Sequence, residues 1–358
     1  RTNAQNMLTS ALRDNTIQRE YPVNFDISSE QQILKDSVDR FVQEHYELDK
    51  RQLLVLTEQG FSTDNWQTMA ELGWLGVSVP EAYGGFGGNE IDTMILMEAF
   101  GKGLVLEPFF ASTVLGAKAI AEGGNEALKT EMLPGVVEGS RRLTLAYAEA
   151  QARFDLEDII THAKPDGEDY VINGHKSMVL HAGSAQQIVV STRTSGGQAD
   201  KTGISLFLID ADAPGVEITS FPTVDGQQAS EIKLEGVKVS STRLLGELDK
   251  GYELLNALAT AGILALAAEA VGAMEILYKD TVAYTQEREQ FDHALSDFQV
   301  LQHRMVDMFM EYEQCKSLLY RATLEVVQNS TGAQRSVHAL KYYVGKIGTF
   351  IGESAVQL

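Results

Sequence analysis

Residues 251–310 read GYELLNALATAGILALAAEAVGAMEILYKDTVAYTQEREQFDHALSDFQVLQHRMVDMFM, and the fold is best worked out from this stretch. Its first part lacks proline and is rich in alanine and leucine. Apolar residues recur there at intervals of three and four, which predicts one apolar stripe along a long helix. The stripe consists of Leu254, Leu258, Ala261, Ala265, Ala268 and Val271. Its small side chains predict close approach of a neighbouring helix.

A corner follows this helix at Arg288 and Phe291, where the pattern breaks at residues 292–293 and a second helix is predicted to start near Ser296. The arginine, the aromatic ring and Gln299 suit a nucleotide ligand. A guanidinium can donate two parallel hydrogen bonds to a phosphate, a phenyl ring can pack on a flat base, and an amide can hydrogen-bond the edge of the base. A purely structural interpretation also stands, with an exposed arginine and a core phenylalanine at a helix bend.

The composition limits the partners of the chain. It has 358 residues, enough for two or three compact units. Lys plus Arg number 29 and Asp plus Glu number 50, which gives a net charge of -21. This charge argues against nucleic acid and anionic membrane surfaces as partners. An anionic ligand such as a CoA ester would need a local basic patch.

Metal, disulfide and membrane signals are absent from the sequence pattern. The single cysteine, Cys315, excludes an internal disulfide and a cysteine-rich metal site. His175, His181 and His303 have no metal-ligand spacing, and we predict that they are ordinary polar positions. No apolar run is expected to reach membrane-spanning length, and no secretory signal is recognisable. We therefore expect a cytoplasmic protein.

The N-terminal part of the chain predicts a helical domain over residues 24–140, preceded by an extension of unknown role at residues 1–23. Ser28 and Gln31 form a candidate capping box at the first helix. Residues 73–88 read GWLGVSVPEAYGGFGG, a glycine-rich loop without the sequence of a phosphate-binding loop. Further helices are predicted at 64–73, 89–102, 111–123 and 126–138.

From about residue 141 the pattern changes to short β-branched segments separated by turn signals, which predicts a middle β domain over residues 141–245. The predicted strands are 143–147, 170–172, 187–191, 204–209, 216–218 and 230–239. The pairs Asp166–Gly167, Asn173–Gly174 and Gly196–Gly197 are candidate turns. Residues 246–358 are predicted to form a C-terminal helical bundle.

Four segments together resemble the acyl-CoA dehydrogenase family. They are residues 73–88, the run AEAQARFD at 148–155, the exit from the β domain at 234–251, and the corner at 288–308. The resemblance covers about residues 24–358 and implies an α+β fold with an N-terminal helical domain, a middle β-barrel or sandwich and a C-terminal helical bundle. It also implies FAD, an acyl-CoA substrate, assembly with like or unlike subunits as a dimer or tetramer, and electron-transfer flavoprotein as electron acceptor.

The resemblance implies two groups of cofactor-binding residues. In the family, the corner holds the diphosphate and adenine of the neighbouring subunit's FAD, although the usual glycine after Phe291 is Asp292 here. The corner group comprises Arg288, Gln290, Phe291, Leu295, Phe298, Gln299 and Gln357. A second group, Tyr147, Ala148, Met178 and Leu180, corresponds to positions that contact the flavin ring. In this second group the usual Thr and Trp side chains are replaced by residues that cannot repeat their hydrogen bonds.

The catalytic base is not identified by the sequence. The family removes the α-proton with a carboxylate, and one of its two usual positions aligns with Gly262, which has no side chain. The other usual position would lie beyond Leu358, where we expect the base. Glu269 is a further candidate, because it lies seven residues after Gly262 on the same helical face. A paired or solvated Glu269 is the alternative.

Three interpretations of the function follow. The first is a catalytic acyl-CoA dehydrogenase subunit. The second is a non-catalytic partner that lends its Arg288 and Gln299 corner to the FAD of another chain; the third is a CoA-ester binding module without flavin. The sequence most resembles the small subunit of pimeloyl-CoA-type dehydrogenases, which implies an unlike partner and a dicarboxylyl or otherwise bulky acyl group.

Overall fold

The structure, a computed structural model, describes residues 27–358. The predicted extension at residues 1–23 lies outside the described residues. The first helices are α1 (Ser29–His45), α2 (Leu48–Val55), α3 (Thr63–Glu71), α4 (Glu90–Gly103), α5 (Lys118–Gly123) and α6 (Glu126–Val137). A π-helical segment, Phe110–Ala117, runs directly into α5.

The middle of the chain forms one mixed eight-stranded sheet. Its strands are β1 (Leu143–Ala146), β2 (His162–Asp166), β3 (Asp169–Leu180), β4 (Gln187–Arg193), β5 (Ile204–Asp210), β6 (Val216–Pro222), β7 (Gln228–Val239) and β8 (Leu244–Leu245). The spatial order is β6-β7-β3-β2-β4-β5-β8, and β1 pairs in parallel with β4.

The C-terminal part is a bundle of long helices. It comprises α7 (Gly251–Glu287), a hairpin of β9 (Glu289–Gln290) and β10 (His293–Ala294), then α8 (Gln299–Val327) and α9 (Ala333–Gln357). The order of helices, strands and helices is the predicted α+β fold.

The first helix begins where its capping residues predict. The Ser28 Oγ accepts a hydrogen bond from the Gln31 backbone N–H at 3.1 Å, and the Gln31 Oε1 accepts one from the Ser28 N–H at 3.0 Å. This reciprocal pair satisfies N–H groups that a helix leaves without partners. The predicted capping box is confirmed.

The glycine-rich loop folds back on the segment before it. The backbone N–H groups of Phe86 and Gly88 donate to the carbonyls of Gly76 and Val77 at 3.0 and 2.8 Å. A Cβ at position 85 would lie 2.1 Å from the Val79 carbonyl oxygen, so only glycine fits there. Because these N–H groups bond within the chain, the loop has a packing role and does not present them to a phosphate.

Helices α4 and α7 meet backbone to backbone. A Cβ at Gly272 would lie 1.8 Å from the Glu98 carbonyl oxygen, and one at Gly101 would lie 1.9 Å from the Glu269 carbonyl oxygen. The predicted close approach is therefore confirmed, although glycines rather than the alanines of the stripe make the tightest contacts. Leu254, assigned to the stripe, is only half-buried, while Leu255 is buried.

Helix α7 is apolar because it lies in the core of the bundle. It packs against α4, α8 and α9, and half of its most apolar window is buried inside the fold. By length and composition alone it is the one described helix that could cross a membrane. The expectation that no apolar run reaches this length is therefore wrong, since a helix buried on several sides is apolar on several faces.

The central strands bury both faces, which explains their continuous apolar sequence. On β4, Val189 packs in one cluster with Leu258 of α7. Its neighbours Ile188 and Val190 face a second cluster with Phe207, inside the β domain. The sheet thus has its own core on one face and a helical layer on the other.

Two sequence predictions in the β domain require correction. Asn173–Gly174 is not a turn but lies within β3, at a register shift in its pairing with β7. A Cβ at Gly174 would lie 2.4 Å from the Thr161 Oγ1, so this glycine permits a close approach between strands. Strand β2 was missed because its polar sequence, with Pro165, gives a weak strand signal; its hairpin with β3 uses the predicted turn at Gly167.

Candidate functional site

The corner after α7 is a tight hairpin. Gln290 pairs with His293, and the two residues between them, Phe291 and Asp292, have φ values of 56° and 65°. Asp is one of the few non-glycine residues that adopt this left-handed conformation readily, which is how it occupies a position where glycine is usual. A 3-10 turn, Leu295–Asp297, then precedes α8, so this helix starts at Gln299 rather than near Ser296.

The predicted nucleotide-binding side chains of the corner face solvent. Phe291 is 86% exposed, so the interpretation of this ring as a core residue is wrong. The exposed Arg288 guanidinium and the exposed Gln299 amide have no hydrogen-bond or ion-pair partner within residues 27–358. Gln290 is exposed and donates to the Glu289 carbonyl at 2.8 Å. The corner therefore presents a free guanidinium, a free amide and a free aromatic ring at one edge of the bundle.

Leu295 and Phe298 pack beneath the exposed side chains of the corner, on its side toward the bundle. Both are half-buried, and the Leu295 N–H donates to the Arg288 carbonyl at 2.8 Å. The Phe298 ring meets the His293 ring edge-on, with centroids 6.4 Å apart. These contacts fix the backbone that carries the exposed side chains.

Gln357 lies at the same end of the bundle as the corner. Helices α8 and α9 run antiparallel, because Ser336 bonds Glu325 at 2.5 Å and Tyr343 bonds Glu311 at 2.5 Å. Continuing this register brings the exposed C-terminal turn of α9 level with the first turn of α8. The structure thus places the Gln357 and Gln299 positions at one end of the bundle.

The predicted flavin-contacting residues form a second group, at the ends of β1 and β3. Tyr147 and Ala148 follow β1, and Met178 and Leu180 end β3; the Ser177 N–H joins the two segments by donating to the Ala148 carbonyl at 2.9 Å. Tyr147 is 42% and Met178 52% exposed. We call these four residues the platform. Apart from the Tyr147 hydroxyl, its side chains lack hydrogen-bonding groups, so a planar ligand would rely on backbone groups.

A buried ion pair behind the platform holds its two segments together. The Lys176 Nζ donates to the Glu149 Oε1 at 2.7 Å and to the Ser191 Oγ at 2.9 Å. Burial lowers the pKa of Lys176 to about 8, against the opposing charge of the carboxylate. The pKa of Glu149 is lowered, because Lys176 and the Ile160 N–H outweigh the effect of burial. Sequence analysis missed this pair, which joins residues far apart in the chain.

A cavity of about 90 Å³ lies between α4, α7 and the end of β3. Leu180 of the platform lines it, together with Glu269 of α7. Gly262, two turns earlier on α7, would place a Cβ 3.5 Å from the ring of Phe110, which also lines the cavity. We call this space the α4–α7 cavity. It is the point where the platform meets the helix that carries the candidate base.

The α4–α7 cavity contains titratable side chains at one end. Burial raises the pKa of Glu269 to about 7, with a further increase from Asp225 and an opposing effect of Arg51. Within the described residues the Glu269 carboxyl has no hydrogen-bond or ion-pair partner. Burial also raises the pKa of Glu107, whose carboxyl accepts a hydrogen bond from the Tyr46 hydroxyl. An unpartnered carboxyl with a pKa near neutrality can exchange a proton or bind a polar ligand group.

His181 also lines this cavity, and the sequence analysis wrongly treated it as an ordinary polar position. It is 5% exposed, and its Nδ1 is buried without a hydrogen-bond partner. Its φ of 53° places it in the left-handed region. The one feature of the sequence that could have pointed to His181 was its position directly after Leu180, a predicted flavin-contacting residue.

Three family models together match most of the chain. The acyl-CoA dehydrogenase N-terminal, middle and C-terminal domain models match residues 28–140, 144–237 and 249–358. The probable acyl-CoA dehydrogenase YngJ of Bacillus subtilis (strain 168) is 30% identical over 341 residues, which are 94% of this chain and 89% of YngJ.

Two solved structures share the fold over most of the chain. The ChsE4–ChsE5 complex from Mycobacterium tuberculosis has a TM-score of 0.84 and 25% identity, covering 93% of this chain and 87% of the other. The FAD complex of PigA has a TM-score of 0.86 and 25% identity, covering 93% and 88%. The first is a complex of two differently named proteins, and the second holds FAD.

Proposed function

The chain belongs to the acyl-CoA dehydrogenase family, and from this premise we propose that it acts in the FAD-dependent α,β-dehydrogenation of an acyl-CoA thioester. The observation that carries the proposal is the exposed corner at Arg288, Phe291 and Gln299. The exposed guanidinium makes no bond within the described residues, and it matches a diphosphate in charge and geometry.

The donor set of the corner fits one half of FAD. Arg288 would bind the diphosphate, Phe291 would pack against the adenine, and Gln299 would hydrogen-bond its edge. These side chains point away from their own chain, which supports binding of a cofactor that a neighbouring subunit shares. When bound, FAD supplies the acceptor for the β-hydride.

The platform would hold the flavin ring through backbone groups. The Glu149–Lys176 pair would keep Ala148 and the end of β3 at a fixed spacing, and so position the backbone groups that face the ring. The acceptor of the α-proton is not assigned by this proposal. Gly262 has no side chain, and Glu269 lies at the polar end of the α4–α7 cavity.

The dehydrogenation is tested by mixing the assembled, FAD-loaded protein with acyl-CoA thioesters in the absence of oxygen. Oxidation of the thioester reduces the flavin and bleaches its visible absorption band, and the enoyl-CoA product is then measured by mass spectrometry. The proposal requires bleaching and product with at least one thioester. An intact flavin spectrum with every thioester of a broad chain-length series would refute it. Electron-transfer flavoprotein is the proposed acceptor in the catalytic cycle.

A second candidate function is a non-catalytic subunit that completes the FAD site of an unlike partner. Two observations favour it: the platform side chains give few hydrogen bonds, and the α4–α7 cavity, about 90 Å³, is well below the roughly 300–1,000 Å³ of typical ligand pockets. The resemblance to small subunits of pimeloyl-CoA-type enzymes points the same way, as does the likeness to the ChsE4–ChsE5 complex.

The two candidates differ in their flavin stoichiometry. A self-sufficient subunit binds about one FAD per chain when it is expressed alone. A non-catalytic subunit that completes its partner's FAD site binds no FAD when it is expressed alone. Co-expressed with its partner dehydrogenase, it gives about one FAD per pair of unlike chains. The absorbance ratio of flavin to polypeptide in the purified protein decides between them.

A further inference from the structure

We propose that Lys176 is a positioning residue for reduction of the bound flavin. Its ammonium binds the carbonyl of the Tyr147–Ala148 peptide, and it thereby strengthens the hydrogen bond that the N–H of this peptide donates to the flavin ring. The inference rests on the proposed function, because it requires FAD on the platform. It gives a buried lysine an electrostatic role beyond that of holding two segments together.

The Lys176 ammonium has three N–H groups, and each of them has an acceptor. The Nζ lies 2.7 Å from the Glu149 Oε1 and 2.9 Å from the Ser191 Oγ. The third acceptor is the Tyr147 carbonyl oxygen, at 3.4 Å. This contact is the longest of the three, but Lys176 is 0% exposed, and the attraction between a full charge and a carbonyl dipole is strong where water is excluded.

The Tyr147–Ala148 peptide directs its two polar atoms to opposite sides. No peptide bond among the described residues is cis, and the C=O and N–H bonds of a planar trans peptide point in opposite directions. Since the Tyr147 carbonyl faces the buried ammonium, the Ala148 N–H points away from it. This N–H has no hydrogen-bond partner within residues 27–358, and its platform neighbours Tyr147 and Met178 are 42% and 52% exposed. It is therefore available to a ligand on the platform.

A cation at the carbonyl makes the N–H of the same peptide a stronger donor. The peptide group is conjugated, so a positive charge at its oxygen draws electron density from its nitrogen. Because the platform side chains lack hydrogen-bonding groups apart from the Tyr147 hydroxyl, a backbone N–H is the main donor that a planar ring meets there. A donor fixed in a site without water stabilises negative charge as it develops.

The Glu149 carboxylate offsets only part of this effect. Its Oε2 accepts a hydrogen bond from the Ile160 N–H at 2.8 Å, and its Oε1 accepts one from the Thr161 N–H at 3.1 Å. The negative charge is thus shared among several donors. No hydrogen bond joins either Glu149 oxygen to the Tyr147–Ala148 peptide, whereas the ammonium contacts this peptide directly.

The stronger donor matters at hydride transfer. A hydride carries two electrons and one proton, so its transfer to a neutral ring adds one negative charge there, while the α-proton of the thioester leaves separately to the base. A polarised N–H binds the charged form of the ring more tightly than the oxidised form. Lys176 therefore favours the reduced flavin and raises its midpoint potential without touching the substrate.

The test is the two-electron midpoint potential of the bound FAD, measured with redox dyes in the assembled protein without oxygen. Dithionite supplies the two electrons and the solvent supplies the proton, so no thioester is needed. The variant is Lys176→Met combined with Glu149→Gln, which removes both charges and leaves no unpaired ion buried. Its affinity for reduced relative to oxidised FAD should fall by about threefold or more, which lowers the potential by about 14 mV or more, since tenfold corresponds to about 30 mV.

The potential separates this role from a structural one. If Lys176 only fixed the spacing of the platform, the double variant would lose affinity for oxidised and reduced FAD to the same degree, and the potential would not move. Ser191→Ala is the matched control, because it removes one hydrogen bond of the ammonium but keeps the charge. The midpoint potential of this control should be that of wild type.

A second measurement needs no variant. Tyr followed by Ala occurs once in the chain, at residues 147–148. Tyrosine labelled with ¹³C at its carbonyl and alanine labelled with ¹⁵N therefore mark a single peptide with both isotopes, and NMR can select its amide proton. This proton should shift when FAD is added to flavin-free protein, and it should move downfield when the bound FAD is reduced, as its hydrogen bond strengthens.

Three results overturn the inference. They are a double variant with the potential of wild type, a Ser191→Ala variant whose potential falls as far as that of the double variant, and an Ala148 amide proton that does not move downfield on reduction. A platform without flavin also gives the last result, which decides the matter if the double variant does not fold. Failure of the proposed function is a different observation, in which every thioester leaves the flavin oxidised while dithionite still reduces it.

Discussion

The pH dependence of stability gives a direct test of the environment assigned to Glu269. The change is Glu269→Gln, which keeps the shape of the side chain and removes its ionisation. The pKa of Glu269 is about 7 in the folded chain, against 4.5 for an ordinary Glu side chain. A difference of one pKa unit corresponds to about 1.4 kcal/mol, so the ionised carboxylate costs the fold about 3 kcal/mol.

The sign follows from proton linkage. Below the unfolded pKa the carboxyl is protonated in both states, and the variant and wild type should be equally stable. As the pH rises from about 4.5 to about 7, only the unfolded chain loses the proton, so wild type loses stability and the variant does not. Above about pH 7 the variant should be the more stable protein by about 3 kcal/mol, a nearly constant margin.

The assay is urea unfolding at a series of pH values from about 5 to 8, with Glu253→Gln as the matched control. Glu253 lies on the same helix but is exposed, so its substitution should change stability by less than about 0.5 kcal/mol, without a trend in pH. A Glu269→Gln margin that stays flat between acidic and neutral pH would refute the environment described for the half-buried, unpartnered Glu269 carboxyl in the α4–α7 cavity.

Substitutions at a helix contact, at the buried ion pair and at the corner turn give three further tests, each measured by urea unfolding. Gly272→Ala should destabilise the chain by about 3 kcal/mol or more, because its Cβ would lie 1.8 Å from a carbonyl of α4, whereas Gly345→Ala, with open space around it, should be neutral or slightly stabilising. Lys176→Met should cost about 3 kcal/mol by leaving Glu149 buried without its partner, and the loss should shrink when Glu149→Gln is added; an additive loss would contradict a coupled pair. Asp292→Gly should be tolerated within about 0.5 kcal/mol and Asp292→Val should cost about 1 kcal/mol or more, because position 292 has φ 65°; equal stability of the two variants would contradict the assigned turn.

Much of the architecture follows from local sequence. The change from intervals of three and four to short β-branched segments marks the passage from helices to strands and back, and the capping box at Ser28 fixes the first helix. The chemistry of Arg288, Phe291 and Gln299 singles out the corner by residue type and spacing. These signals are local in the chain, so that sequence analysis can find them.

The features that sequence analysis missed depend on distant contacts. The Asn173–Gly174 pair has the composition of a turn, but the approach of Thr161 makes it a glycine kink inside a strand. Lys176 bonds Glu149, which lies 27 residues earlier in the chain, and His181 lines the cavity beside Gln227, which lies 46 residues later. Charge and periodicity along the chain carry no information about such pairings.

The central claim is that the corner of this chain binds the diphosphate of FAD. The most direct measurement is the FAD affinity of the assembled protein carrying Arg288→Ala, with Arg335→Ala as control, since both arginines are exposed. A hydrogen-bonded charge pair is worth about 1.5–3 kcal/mol, so Arg288→Ala should weaken FAD binding by about tenfold or more, while stability stays within about 0.5 kcal/mol of wild type. The control should bind FAD as wild type does. Equal FAD affinity of the Arg288→Ala variant and wild type would contradict the account.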